Sequence, residues 1–166
     1  MSGKPAERSD RVVSIKLEGE LGARRNADAE HEREIAIFDL LEENRFTLSN
    51  GVPGPYVVHL SIEDNRLVFD VRNEAREPLR RIGLALGPFR RVVKDYFTVC
   101  EAYYDAIKHA SLSQIEAIDM GRRGLHNEAS ELLRSRLSGK IECDPPTARR
   151  LFTLLCALHA SGREAR

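Results

Sequence analysis

The chain has 166 residues, 42% of them hydrophobic and 31% charged, with 26 basic and 26 acidic side chains and a formal net charge of zero. That length supports one domain with a self-sufficient core, and the composition excludes an intrinsically disordered chain. A neutral total also argues against general nucleic-acid binding, which wants a net basic domain.

The polar stretch over residues 1–10 has no apolar segment after its charges. It reads as a disordered tail rather than a signal peptide. Residues 11–160 read as a single domain, and residues 161–166 as a second polar tail. Arg11 to Leu17 alternates, with Val13, Ile15 and Leu17 on one face, and predicts a strand. A charged loop follows over residues 18–26. Asn26 or Asp28 is positioned to cap a helix running to about Arg45, whose acidic first turn (Asp28, Glu30, Glu32) suits a helix N-terminus.

Asn50 to Pro55 carries every turn signal. Tyr56, Val58, Leu60 and Ile62 then alternate, Asp64-Asn65 turns the chain, and Leu67, Phe69 and Val71 alternate again. This predicts a hairpin. A further strand follows Pro78, with Ile82, Leu84 and Leu86 on one face, so the three runs predict an antiparallel meander with one covered face.

Gly87-Pro88 opens a helix to about Ala110, because proline suits a first helical position. Phe89, Val92, Val93, Tyr96, Cys100, Tyr103, Tyr104 and Ile107 form its apolar stripe. Ser113 with Glu116 suggests a capping box for the next helix, which runs to Leu137 and is ended by Gly139. Asp144-Pro145-Pro146 caps a last helix through His159, apolar around most of its girth and therefore buried. Segregated strands and helices make the fold class α+β: a small antiparallel sheet of about four strands, helices on one face, and an all-helical C-terminal half.

The long helix 113–137 holds the most informative stretch, Ile118 to Glu128 (IDMGRRGLHNE). On one continuous helical wheel Arg122 falls in the middle of an apolar side made by Ile115, Ile118, Leu125, Ala129, Leu132, Leu133 and Leu137. Asp119 and His126 fall at the edge of that side. An arginine so placed either pairs with a buried carboxylate or lays its methylenes on the core and reaches out. The third option is a helix break at Gly121 or Gly124, each of which costs about 1 kcal/mol relative to alanine. A break would expose N–H groups able to hold an anion together with the two arginines.

Arg-Arg occurs at 24–25, 80–81, 90–91, 122–123 and 149–150. Arg90 and Arg91 follow Pro88 closely, with Lys94 in the next turn, at a helix end that is already partly positive. They call for an acidic counterpart, either an external anion or the acidic face of the 28–43 helix. Residues 1–78 carry 11 basic and 16 acidic side chains and residues 79–166 carry 15 and 10, which gives halves of −5 and +5.

No P-loop, Gly-x-Ser-x-Gly elbow or Gly-x-Gly-x-x-Gly occurs, so no cofactor is expected. Glu30-His31-Glu32-Arg33-Glu34 departs from the H-E-x-x-H zinc pattern because residue 35 is isoleucine, and no metal site is expected. Cys100, Cys143 and Cys156 are odd in number and widely spaced, which gives neither a disulfide framework nor a metal pair. Cys100 and Cys156 read as core. No apolar run reaches the ~18 residues of a membrane span. His126, near Asp119 and Glu128, is the one histidine placed to serve as a general base. Tyr56 and Phe69 point inward, so no base-stacking platform is expected.

Three strings, Pro88 to Phe97, Gln114 to Glu128 and Thr147 to His159, together with Glu30 to Arg33 and Ile37 to Asn44, resemble number 0262 in the uncharacterised protein family series. The likeness spans about residues 11–160. It implies a bacterial protein and carries over no catalytic residue. The reading that follows is a cytoplasmic, non-enzymatic binding or adaptor protein. Its basic surface (Arg90, Arg91, Lys94, Arg122, Arg123) would hold an acidic partner or a phosphate-bearing ligand through forked guanidinium geometry. Two alternatives stand beside it. One is an enzyme for a small anionic substrate with His126 as base and Asp119 or Glu128 orienting it. The other is a self-associating domain whose oppositely charged halves meet in a homo-oligomer.

Overall fold

The computed structural model describes residues 9–18 and 27–164. The Arg24–Arg25 pair, Asn26, the Asp28 side chain, residues 1–8 and residues 165–166 lie outside what is described. Ten elements follow in chain order. They are β1 (Val12–Leu17), α1 (Ala27–Glu42), β2 (Phe46–Leu48), β3 (Tyr56–Glu63), β4 (Arg66–Arg72), β5 (Pro78–Ala85), α2 (Arg90–His109), α3 (Leu112–Leu137), β6 (Ile141–Cys143) and α4 (Pro145–Glu164). A short 3-10 turn, Gly87–Phe89, leads into α2 with Pro88 in its first turn.

The fold is α+β with a helical C-terminal region, and it corrects the expected antiparallel sheet in one respect. The four strands lie in the order β1-β3-β4-β5. The β3-β4-β5 meander is antiparallel as predicted, with Val58 opposite Val71, and Phe69 opposite Leu60 and Ile82. β1, however, pairs parallel with β3, Ile15 opposite Val58. The reason is the connection: α1 and β2 lie between them, and a helical crossover returns the chain in the same direction. β2 and β6 were not predicted. They form a separate two-stranded antiparallel ribbon, with Phe46 opposite Cys143 and Leu48 opposite Ile141.

Alternation in the meander points Tyr56, Val58, Leu60, Leu67, Phe69, Val71, Ile82 and Leu84 into one core shared with the helices. Each such side chain contributes about 1.5–3 kcal/mol when removed from water. The opposite face carries Lys16, His59, Asp70 and Arg81 in register across all four strands. His59 was expected to face outward. It does lie on that face, yet it is only 8% exposed, with Nδ1 3.3 Å from Glu18 Oε1.

α1 ends at Glu42, three residues before the predicted end, because Asn44 and β2 have other work. The Asn44 amide accepts from the Val12 N–H (2.8 Å) and donates to the Val12 and Leu40 carbonyls (3.0 and 2.7 Å). It thereby closes the outer edge of β1 onto α1, at a site where unpaired backbone groups would be costly. The Tyr56 hydroxyl donates to the Val52 carbonyl at 2.6 Å and accepts from the Leu48 N–H at 3.2 Å, which ties the Pro-Gly loop to β2.

α4 is buried along most of its circumference, with Ala148, Leu151, Phe152, Leu154, Leu155 and Leu158 in the core. It continues to Glu164, past the predicted end at His159. Its N-terminus is capped as predicted by Asp144, whose Oδ1 accepts from the Thr147 N–H at 3.1 Å.

α3 corrects two expectations. Its capping box is Ser111 with Gln114, not Ser113 with Glu116. Ser111 has extended backbone and accepts from the Gln114 N–H, while Ser113 already lies inside the helix. The helix is also unbroken at Gly121 and Gly124. A Cβ at either glycine would meet nothing within 4 Å. Neither glycine serves a close backbone approach, so each carries only its entropic cost. The double substitution Gly121→Ala/Gly124→Ala is therefore expected to stabilise the protein by about 1–2 kcal/mol. Urea unfolding would measure this, and a destabilised variant would show that the helix does not run straight through.

Candidate functional site

A cleft of about 420 Å³ opens between α1, α3 and α4, with Tyr96 of α2 at its base. Each wall is a helix face, set by the 3.6-residue period. α1 contributes Glu32, Ile35, Ala36 and Asp39; α3 contributes Arg122, Arg123, His126 and Asn127; α4 contributes Pro146, Arg149, Arg150 and Thr153. Four guanidinium groups thus share a cleft with two carboxylates.

Arg122 takes the first two of its predicted options together, in an intact helix. Its Nη2 and Nε donate to Asp119 Oδ1 at 2.6 and 3.2 Å, and its Cζ lies 4.6 Å from the centre of the Tyr103 ring. The side chain is 25% exposed, a depth at which a charge-assisted pair with a cation–π contact is stabilising. Arg123 Nε reaches the other Asp119 oxygen at 3.0 Å while remaining 74% exposed. Asp119 is therefore a clamp for two arginines. The Arg122 hydrogen bonds, outweighing partial burial and helped by Arg123, hold its carboxyl below the usual carboxylate range.

Arg149 and Arg150 form no ion pair among the described residues; Arg150 Nη1 reaches only the Pro146 carbonyl, at 3.4 Å. Both are half-buried. Burial without a carboxylate leaves a guanidinium under-compensated, and the available counter-surface is the cleft.

His126 packs edge-on against Tyr96 and Phe152, 5.3 Å from each ring centre. Its Nε2 lies 2.9 Å from Thr153 Oγ1. The Thr153 hydroxyl proton goes to the Arg149 carbonyl, 3.2 Å away. Nε2–H then donates to Thr153, and Nδ1 carries the lone pair. Burial first, then the charges of Arg122 and Arg149, push the imidazole down to about 4. A neutral ring held this way fixes the wall and offers hydrogen bonds, while a general base works best near the ambient pH.

The other predicted residues fall elsewhere. Arg90, Arg91 and Lys94 are exposed at the start of α2, with Arg91 4.0 Å from its own-helix Asp95. The doublet that lines the cleft with Arg122 and Arg123 is 149–150, and Arg90, Arg91 and Lys94 are not among its lining residues. Glu128 is exposed and does not line the cleft.

α1 packs against α4, and Glu32 and Asp39 of α1 line the cleft together with Arg149 and Arg150 of α4. Asp39 belongs to the acidic face of the 28–43 helix that the sequence offered as a counterpart to the arginines; Thr153 was not singled out from sequence. Thr153 is 27 residues from its histidine, and nothing local signals that contact. Burial favours the neutral thiol in all three cysteines, pushing Cys100 and Cys156 up, and Cys143 up to about 12. Among the described residues no three His, Cys, Asp or Glu side chains gather as a metal site, and no helix is long and apolar enough to cross a membrane.

The family model described as "Uncharacterised protein family (UPF0262)" matches residues 9–161. A UPF0262 protein of Maricaulis maris is 56% identical over 154 residues, covering 93% of this chain and 96% of its own length. One from Azorhizobium caulinodans is 57% identical over 155 residues, covering 92% and 96%. One from Xanthobacter autotrophicus is 53% identical over 164 residues, covering 98% and 100%. No solved structure matches the chain.

Proposed function

The chain belongs to the UPF0262 family, and we propose that it is a small cytoplasmic binding protein, without chemistry of its own, that holds an anionic group in the α1–α3–α4 cleft. The observation that carries this reading is the half-buried Arg149 and Arg150, without ion-pair partners among the described residues, beside Arg122 and Arg123. Guanidinium forks suit carboxylate and phosphate oxygens. Asp119 orients one arginine pair while leaving outward donors available. Three unpaired cysteines support a reducing compartment. The lowered basicity of His126 and the commitment of Asp119 to arginines favour binding over turnover. An acidic segment of a partner protein would present the same group to this cleft.

Inorganic phosphate and small carboxylates are expected to raise the melting temperature of the full chain. Arg149→Ala/Arg150→Ala is expected to lose that response, with affinity falling at least about tenfold. Its unliganded stability should change by less than about 1 kcal/mol, because no ion pair is broken. An equal response from both proteins would place the anion elsewhere.

A further inference from the structure

We propose that the ligand is dipolar: a small molecule of the α-amino acid class. Its carboxylate would meet Arg149 and Arg150, and its ammonium would meet the Asp39 side of the cleft. This inference rests on the anion-binding reading above and makes it narrower.

The cleft is not uniformly basic. Glu32 and Asp39 are seven residues apart, two turns of α1, and so share one face. With Ile35 and Ala36 between them they form a wall that carries the Asp39 carboxylate at one end and an apolar stretch in the middle. The opposing walls from α3 and α4 carry all four arginines. α1 and α4 are packed neighbours, yet no ion pair joins Asp39 to Arg149 or Arg150 among the described residues. Asp39 and the two arginines line the same cleft without joining in an ion pair, which leaves room for a ligand that touches both.

A cleft with opposed walls discriminates by sign. A simple anion gains from the arginines and is repelled by α1. An amine gains from α1 and is repelled by the arginines. A molecule with both charges a few ångströms apart gains from both walls, and specificity of this kind comes from the repulsive contact as much as the attractive one. The volume of about 420 Å³ lies within the range of small-ligand sites. Ile35, which is 45% exposed, and Pro146 offer an apolar surface for a side chain. Asn127 and the Thr153–His126 pair supply neutral hydrogen-bonding groups.

The test is calorimetric titration of the full chain with the L-amino acids, each matched to its deaminated acid and decarboxylated amine, and with inorganic phosphate. At least one amino acid is expected to bind about tenfold or more tightly than both of its matched partners, as a charge-assisted hydrogen bond at each end would give. Asp39→Asn is expected to bring that amino acid down to the level of its acid, and to leave the acid's affinity unchanged or improved. Arg149→Ala/Arg150→Ala is expected to weaken both. Acids and phosphate binding as well as or better than every amino acid would overturn the dipolar ligand and leave the anion site standing. The absence of any binding in the whole series would overturn both.

Discussion

Replacing Phe152 by alanine is expected to lower the free energy of unfolding by about 3–5 kcal/mol, the largest effect of any change considered. The ring is fully buried. It packs edge-to-face on Tyr96 at 5.7 Å and on His126 at 5.3 Å, so three rings from three helices share one junction. Removing it forfeits its own burial and leaves a void that α2, α3 and α4 cannot all close at once, since each is held elsewhere. Because this junction is the floor beneath His126, the variant should also let water reach the imidazole and raise its pKa toward the ordinary value of about 6.5. Urea unfolding checks the first effect and histidine ring NMR titration the second. A loss below about 1 kcal/mol would mean that the three rings are not packed as described.

Acidification to pH 4 is expected to cost the protein about 3 kcal/mol through His126 alone. The imidazole is pushed down to about 4 in the folded chain, by burial first and then by Arg122 and Arg149, against about 6.5 when unfolded. Between these values the unfolded chain binds the proton and the folded chain does not. The contribution is therefore fully present above about pH 6.5 and drains away as pH falls toward 4. The measurement is the stability difference between wild type and His126→Gln across that window. Wild-type stability minus that of the variant should fall by about 3 kcal/mol as pH drops through the window, and a constant difference would show that the ring titrates normally in the fold.

The meander and the order of helices were legible because alternation and the 3.6-residue stripe are local signals. Ile62, Asp64-Asn65 and Leu67 specify a hairpin by themselves. The parallel partner of β1 was not legible, since Ile15 and Val58 are brought together by a helix whose packing lies outside either strand. β2 and β6 are three residues each, too short for alternation to distinguish them from loop. The apparent break in α3 rested on two glycines whose cost is outweighed by tertiary packing of Ala129, Leu133 and Leu137.

At the site, the central placement of Arg122 was readable on the wheel. The pairing of arginine doublets was not. Both 90–91 and 149–150 follow proline-marked helix starts, and no local feature says which start lies beside the middle of α3. His126 drew attention through its chain neighbours Asp119 and Glu128, but its structural partners are Tyr96, Phe152 and Thr153.

The β2–β6 ribbon has a consequence for how the protein emerges from the ribosome. Phe46 must wait for Cys143, nearly a hundred residues later, and at about 5–20 residues per second that delay is roughly 5–20 s. Through that interval the nascent chain carries Phe46 and Leu48 without their strand partners. The ribbon that pairs residues 46–48 therefore closes only after residue 143 is made, and a product truncated before Ile141 lacks it.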